Sequence, residues 1–488
     1  MSKRNLLLSA VAIATLSTPA HADTLREAFV AAYKTNPTLS GAQAGQRAED
    51  ENVAIAKADG RPNSGSRFNF QENFLRNSNS FTAPLRQVSA GGEINVPIYS
   101  GGRVKNAVRA AKARVVAGQY GLRGTEASLF SNVVAAYMDV MRDEAVVKLN
   151  RANVGVLAVN LEATSDRFEI GDLTRTDVAQ SESRLEVAKG ELESARANLI
   201  NSKENYIALV GQVPGTLKSP PPLPNLPKSP DEAVDIALQF NPDLLAAKER
   251  STASEIDIKA ARGAVKPTVE AYAQGSYVNF LNTLGGNISN SNLVQEQSNA
   301  EAGVRLTVPI YQGGRPAAQV RQAQARSGQA YEQLIETERG VIAQTRAAYS
   351  SWRASERVIQ SSERAVAASA LSLEGVRAEN SVGNRTILDI LNAEQELLNA
   401  QVQLVTARRN SYVAGFTLLA AMGRAEARDL GLEGGPLYDP QVNYDRVQNQ
   451  FYDFQSDPNP EPQATRTVDT PAQTAEIEPL PESKTPNE

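Results

Sequence analysis

The chain has no cysteine and a single histidine among 488 residues. Without cysteine there is no disulfide, no thiolate nucleophile and no N-terminal cysteine to carry a lipid anchor. The one histidine, His21, lies in a segment that reads as a removable leader. Lys3 and Arg4 give a positive start, Leu6 to Leu16 a short apolar run, and Ala20-His21-Ala22 a small-x-small cleavage site. Residues 1–22 are expected to be a secretory signal, with the mature chain starting at Asp23. Its removal takes Lys3 and Arg4 from 50 basic residues, leaving 48 against 55 acidic ones and a net charge of −7. A histidine-free acidic chain lacks the commonest general base and metal ligand, and it offers no basic face to nucleic acid. It is expected to be no enzyme and to need no cofactor or metal. Also missing, beyond the leader, is any run of about 18 apolar residues that would make a transmembrane helix.

What is present is a long repeat. Val96-Pro97-Ile98-Tyr99-Ser100-Gly101-Gly102-Arg103 returns 212 residues on as Val308-Pro309-Ile310-Tyr311-Gln312-Gly313-Gly314-Arg315. The same offset carries Gly171 to Gly383, Asp177 to Asp389 and Gly211 to Gly423. Solenoid units repeat every 20–50 residues or so, so this is a duplicated domain half. The first repeat is read as 23–230, the second as 231–424.

With no helix to span a bilayer, only a closed β-barrel could, because every backbone polar group must be paired there. Alternating segments stand before each Val-Pro-Ile-Tyr. Val88, Ala90, Ile94, Val96 and Ile98 share one face; in the second half Ala300, Ala302, Val304, Leu306, Val308 and Ile310 do. Partner strands precede them, with Phe68, Phe70 and Phe74 alternating with polar residues, and then Tyr272, Val278 and Phe280. Polar loops 77–86 and 282–297 join the partners. The strand regions are about 66–98 and 268–311. Two hairpins on the surface of a soluble protein would show the same pattern; the export signal and the aromatics at strand ends favour the membrane. Four strands cannot close around a channel, since small barrels need about eight. Three copies would supply twelve.

The remainder reads as long helices: 103–170 and 315–382, each about 100 Å if continuous, returning as 172–210 and 384–422. Val178, Leu185, Leu192, Leu199 and Tyr206 are spaced by sevens, followed three residues on by Ser181, Ala188, Ala195 and Ser202. Ile390, Leu397, Leu404 and Leu418 repeat the pattern, with Ser411 breaking it once. A seven-residue seam implies left-handed coiled-coil packing. Shorter helices, roughly 38–60 and 243–265, follow Asn36-Pro37 and Asn241-Pro242. A short and a returning helix together match one long helix, so end-to-end stacking would give a wall of even height. At the far turns, Gly171 and Gly383 suit a left-handed helix end, and Thr174 with Asp177, and Thr386 with Asp389, are spaced as capping boxes. Arg103 and Arg315 follow each Gly-Gly, but no Lys-Ser/Thr follows to make a phosphate loop. Trp352 is expected to be a packing residue.

These features together resemble the TolC family of outer-membrane efflux channel proteins. The resemblance covers residues 24–424 and rests on the doubled Val-Pro-Ile-Tyr-x-Gly-Gly, the doubled Asn-Pro and the doubled Gly-x-x-x-x-x-Asp turn, in shared order. It implies a mainly α fold with membrane β-structure. Each homotrimer would build an α-barrel of helical hairpins crossing the periplasm, and a twelve-stranded β-barrel in the outer membrane of a Gram-negative bacterium. Such a channel-tunnel serves efflux or type I secretion, passing drugs or proteins from an inner-membrane transporter and a periplasmic adaptor. An equatorial region would draw on segments near 212–240 and on 425–455, including Tyr438-Asp439-Pro440.

By the resemblance, Asp389 and Asn392 occupy the positions of an aspartate pair that rings the closed tip, so a trimer would present three carboxylates there. Thr176, Asp177 and Arg385 match residues that lock the entrance, and Asn380 replaces a tyrosine. Gly171, Thr174, Gly383 and Thr386 lie on the turns where an adaptor would dock. Pro97, Gly101, Gly102, Pro309, Gly313 and Gly314 make the bend from barrel to helix. From the sequence alone, Asp177 serves equally well as a helix cap or in the gate, whereas Asp389 is read as facing the lumen before it is read as a cap. A periplasmic adaptor or a structural coiled-coil envelope protein is the alternative, but neither accounts for the doubled strand pairs. The Pro-, Thr-, Gln- and Glu-rich tail, 456–488, is expected to be disordered.

Overall fold

The computed structural model describes residues 24–75, 83–285, 293–432 and 437–477. The expected leader and parts of the two polar loops fall outside them. Two short helices open the chain, α1 (Leu25–Thr35) and α2 (Pro37–Ala58). Strands β1 (Asn63–Glu72) and β2 (Arg86–Tyr99) follow, then the long helix α3 (Arg103–Glu169) and its return α4 (Arg175–Val210). The second repeat runs α5 (Pro230–Phe240), α6 (Pro242–Ala261), β3 (Thr268–Asn279), β4 (Glu296–Thr307), α7 (Arg315–Ser381) and α8 (Ile387–Ala421). A short α9 (Pro440–Val447) comes last. None of the described helices is long and apolar enough to cross a membrane.

The four strands form one antiparallel sheet in the order β1-β2-β3-β4. In the upper half α2 packs on α3, α3 on α6, and α6 on α7, so the helices stand in the same order as the strands they continue. In the lower half α3 lies against α4 and α8, and α8 against α7. Apart from the short helices α1, α5 and α9, the protomer is thus a wall one helix thick with a sheet at one end. The heptad seam of α4 is buried as its spacing requires: Ser181, Leu185, Ala188, Leu192, Ala195, Leu199 and Tyr206 all face inward. The small members let the axes come close, and the leucines fill the holes between turns.

The doubled Asn-Pro joins stacked helices. The Asn36 Oδ1 accepts from the Thr38 N–H and caps α2, while its Nδ2 donates to the Leu209 carbonyl, 3.0 Å away, near the end of α4. Asn241 repeats this: Oδ1 accepts from the N–H groups of Asp243 and Leu244, and Nδ2 donates to the Ala421 carbonyl at 2.9 Å. One amide side chain thereby satisfies orphan groups at both helix ends. Proline after it costs nothing, since its missing N–H would be unpaired there.

The core lies at the wall's waist. Phe29, Phe130 and Phe416 meet there, with ring centroids 5.0 and 5.8 Å from Phe29. Leu39, Val133, Tyr137, Leu199, Leu418 and Met422 surround them, and residues 425–432 close the cluster. Helices α1 and α5, not foreseen in the sequence, make a second layer at this height. Trp352 packs edge-on to Tyr349 and beside Gly415.

The tail departs from its expected disorder. Residues 456–477 contain no helix or strand, but they are held: Arg446 pairs with Asp457 at 2.7 Å, and the Gln473 N–H donates to Glu204 at 3.0 Å. Lys203 donates to the Thr474 carbonyl, and Ala475 and Ile477 pack on the main core. These few contacts outweigh a composition that by itself disfavours order. Residues 478–488 lie outside the described chain.

Candidate functional site

The sheet carries two different faces. Opposed residues of an antiparallel pair share a face. Phe68 opposes Ala90, Phe70 opposes Val88, Ile94 opposes Ala273, and Val96 opposes Ala271, which in turn opposes Val304. This face is apolar, and it is bare: Phe68 is 79% exposed and Val304 66%. The opposite face carries Arg67, Glu93, Glu270, Glu301 and Arg305, with Glu270 and Arg305 paired at 2.7 Å. The outer edges of β1 and β4 have no strand partner among the described residues.

Two sequence assignments on the sheet need correction. Tyr272 and Val278 were expected on the apolar side; they belong to the charged face, opposite Asn95 and Ser89. Tyr272 lies under the Arg305 guanidinium, 4.6 Å from ring centroid to charge, and against Gly303. An aromatic ring suits a polar face when a cation covers it. The last strand also stops early: β4 ends at Thr307, so Val308, Pro309 and Ile310 are not in a strand. Their repeat counterparts in β2 pair with β3, through a bulge between Pro97 and Tyr99. The difference follows from position, because β2 lies inside the sheet and β4 at its edge.

Below the sheet the chain turns into the long helices through paired glycines. Gly101 and Gly102 have φ of 65° and 81°, Gly313 and Gly314 63° and 78°, and L side chains resist that region. A Cβ on Gly101 would also lie 2.6 Å from the Gly263 carbonyl, whereas Gly313 and Gly314 have open space around them.

At the far tip, Gly171 and Gly383 end the long helices with φ of 84° and 81°. Each next helix starts with a full capping box. The Thr174 N–H and hydroxyl donate to Asp177 Oδ2 at 2.9 and 2.7 Å, and the Asp177 N–H donates back to Thr174 Oγ1. Thr386 and Asp389 reproduce it at 2.9 and 2.8 Å. Hydrogen bonds from the threonine hydroxyl and N–H hold both aspartates below the usual carboxylate range. Both acids therefore have a capping role. Thr176 is exposed beside this box.

Arg385 turns to its own hairpin, pairing with Glu379 at 2.7 Å, and its carbonyl accepts from Asn380 Nδ2. Within the protomer it is not bonded to Asp177. Asn392 accepts from Arg184 of the other hairpin at 2.8 Å. A residue that sequence reasoning missed lies beside it. Glu394, 6% exposed, receives Arg377 at 2.8 Å and Asn160 at 3.2 Å, tying α3, α7 and α8 together. A carboxylate set among Leu391, Ala393, Leu397 and Leu398 on a seam was the available signal.

At the waist Tyr33 donates to Glu126, and the Tyr438 N–H donates to the Tyr33 oxygen at 2.9 Å. Burial, then the charge of Glu426, pushes the Glu126 carboxyl up to about 7. Burial and the Glu126 charge push Tyr33 up to about 12. No group of His, Cys, Asp or Glu among the described residues is placed to hold a metal ion.

The family model described as outer membrane efflux protein matches residues 29–212 and again 233–424, one match per repeat. The outer membrane efflux protein BepC of Brucella suis biovar 1 is 34% identical over 430 residues, covering 88% of this chain and 91% of that protein. The outer membrane protein TolC of Escherichia coli is 25% identical over 448 residues, 88% of each chain. In fold, the outer membrane protein VceC of Vibrio cholerae superimposes with a TM-score of 0.69 at 22% identity, over 82% of this chain and 96% of that one.

Proposed function

The chain belongs to the outer membrane efflux protein family, and on that premise we propose how its surfaces assemble into a working conduit. The protein is an outer-membrane channel-tunnel, extending into the periplasm of a Gram-negative bacterium and serving efflux or type I secretion. Three copies join β4 of one to β1 of the next and close a twelve-stranded barrel. The observation that carries this reading is the sheet: apolar and bare on one face, charged on the other, and unpaired at both edges. In lipid an unpaired strand edge costs several kcal/mol per group, so the edges must meet. The apolar face then meets lipid and the charged face lines water. Below, α7 of one protomer meets α2 and α4 of the next, and the α-barrel continues the lumen.

The conduit is passive, and nothing in this reading calls for catalysis. A periplasmic adaptor docks at the tip turns around Gly171, Thr174, Gly383 and Thr386, and an inner-membrane transporter supplies the energy. Asp389 faces the lumen at the tip as a ring of three carboxylates. The entrance is locked by Arg385 reaching Asp177 of a neighbouring hairpin, with Thr176 beside it. The lock competes with the Arg385–Glu379 pair inside the protomer.

Planar-bilayer recording tests both levels. The purified trimer should form channels, and a preparation that never raises bilayer conductance removes the channel assembly. Replacing Arg385 or Asp177 by serine should raise single-channel conductance. Unchanged conductance in both variants removes the lock while leaving the channel intact.

A further inference from the structure

Just after α9 the chain presents Phe451, Tyr452 and Phe454 to solvent, 65%, 68% and 103% exposed. Phe451 and Tyr452 stack with centroids 4.3 Å apart. Three bare aromatics in four residues are costly in water, and nothing among the described residues covers them. Their height is fixed. Lys57 donates to the Gln448 carbonyl at 2.8 Å and to Asn449 Oδ1 at 2.9 Å. Arg61 donates to the Gln450 carbonyl, two residues before β1 begins at Asn63. The aromatics therefore hang at the foot of the sheet, level with the bend after Tyr99. Tyr99 and Tyr311 are themselves exposed there.

Their side of the wall follows from space. Helix α9 is a second layer, seated on α2 through the buried Asn443–Asp50 bond of 2.7 Å and through Tyr444 against Val53, Ala111 and Val115. Twelve upper helices about 10 Å apart would enclose roughly 28 Å of clear bore, and a second layer inside, from three protomers, would cut this to about 8 Å. The layer belongs outside. There the foot of the barrel meets the periplasmic leaflet of the outer membrane. Interfaces of this kind favour aromatic rings, with cations nearby for phosphate headgroups. Lys57, Arg61 and Lys112 cluster at this level, close enough to depress the Lys57 pKa, after burial, through their charges.

We infer that Phe451, Tyr452 and Phe454 are a membrane hook, inserted among the phospholipids of the periplasmic leaflet and continuing the lipid-facing band of the barrel below its last strand residue. This rests on the channel assembly proposed above. The absence of native cysteine makes a clean test possible. A nitroxide is attached at Gln455→Cys, which leaves the three aromatics in place. The trimer is reconstituted in phosphatidylcholine–phosphatidylglycerol vesicles, and the collision rates of the label with oxygen and with a nickel chelate are compared. Phe70→Cys serves as the lipid reference and Glu186→Cys as the aqueous one. The expected oxygen-to-nickel ratio for Gln455→Cys is several-fold above that of Glu186→Cys. It should fall to the aqueous value when Phe451, Tyr452 and Phe454 are all changed to serine.

A ratio equal to the aqueous reference overturns the hook, as does one unaffected by the serines. Protection from both reagents overturns it too, because a protein surface, not lipid, would then cover the segment. If Phe70→Cys also reads as aqueous, the barrel assignment itself fails. If Phe70→Cys reads as lipid and Gln455→Cys does not, only the hook fails.

Discussion

Helices α3 and α7 are both 67 residues long and leave the sheet through the same Gly-Gly-Arg, yet 21 residues of α3 are buried against 7 of α7. The repeat wrote two similar helices, and position separates them. Helix α3 stands in mid-wall with neighbours on both sides. Helix α7 stands at the edge, with Tyr331, Ile335, Val358 and Leu371 bare. The same division runs through the sheet, where β2 is paired along both edges and β4 along one. In the assembly proposed above, this apolar edge is the surface that would meet another copy.

The contrast can be pressed by mutation. The largest effect should come from Phe130→Ala in α3, which opens the waist core and should cost about 3–5 kcal/mol. Its repeat counterpart on α7, Ile342→Ala, should cost less than half as much; urea unfolding of the detergent-solubilised protein measures both. Equal losses would mean that α7 is as deeply packed as α3. Next, Ile335→Asp combined with Leu371→Asp should abolish the detergent-resistant trimer on native gels while leaving helical content by circular dichroism unchanged. A stable trimer in that variant would mean α7 is not the seam.

Glu126 on α3 gives the buried waist a pH signature. Its carboxyl is raised to about 7, so the folded state holds a proton that the unfolded chain releases near the ordinary carboxylate value. Stability from this group is complete at low pH and falls as pH rises from about 4.5 to 7. Glu126→Gln keeps an acceptor for Tyr33, and it should raise the melting temperature at pH 8, by up to roughly 3 kcal/mol of stability, with no gain at pH 4.5. A gain independent of pH would mean that Glu126 is not protonated on folding. The smallest effect concerns a place where the repeats agree. Asn36→Ala and Asn241→Ala should each cost about 1–2 kcal/mol, similar to one another, because both break the same double cap. A large inequality in the same unfolding assay would show that the two splices carry unequal load.

Much of this was legible because it is periodic. The 212-residue offset, the sevenfold seam of α4 and the alternation of β2 each follow from a local geometry that repeats. What could not be read depends on partners distant in sequence. Tyr272 looks apolar in isolation; only Arg305 across the sheet gives it a polar face to sit on. Val308 and Ile310 continue the alternation of β4, but a strand needs a neighbour, and among the described residues they have none. The tip followed the same rule. The capping boxes of Asp177 and Asp389 are local and were anticipated, whereas Glu394 takes its meaning from Asn160 and Arg377 on two other helices. The course of residues 456–477 was hidden for the reverse reason: composition describes chain statistics, and a few long-range bonds place this segment.

The asparagine splices change how the wall bears torsion. Along each circuit, unbroken staves alternate with staves scarfed together at mid-height, where a single side-chain amide stands in for the peptide chain. A rotation started at the lower end travels up α3 and α7 through covalent backbone, but it crosses from α4 to α2, and from α8 to α6, through hydrogen bonds and packing contacts. Every second stave is therefore jointed at mid-height, and twist applied at its foot reaches the part rooted in the membrane without a continuous backbone to carry it.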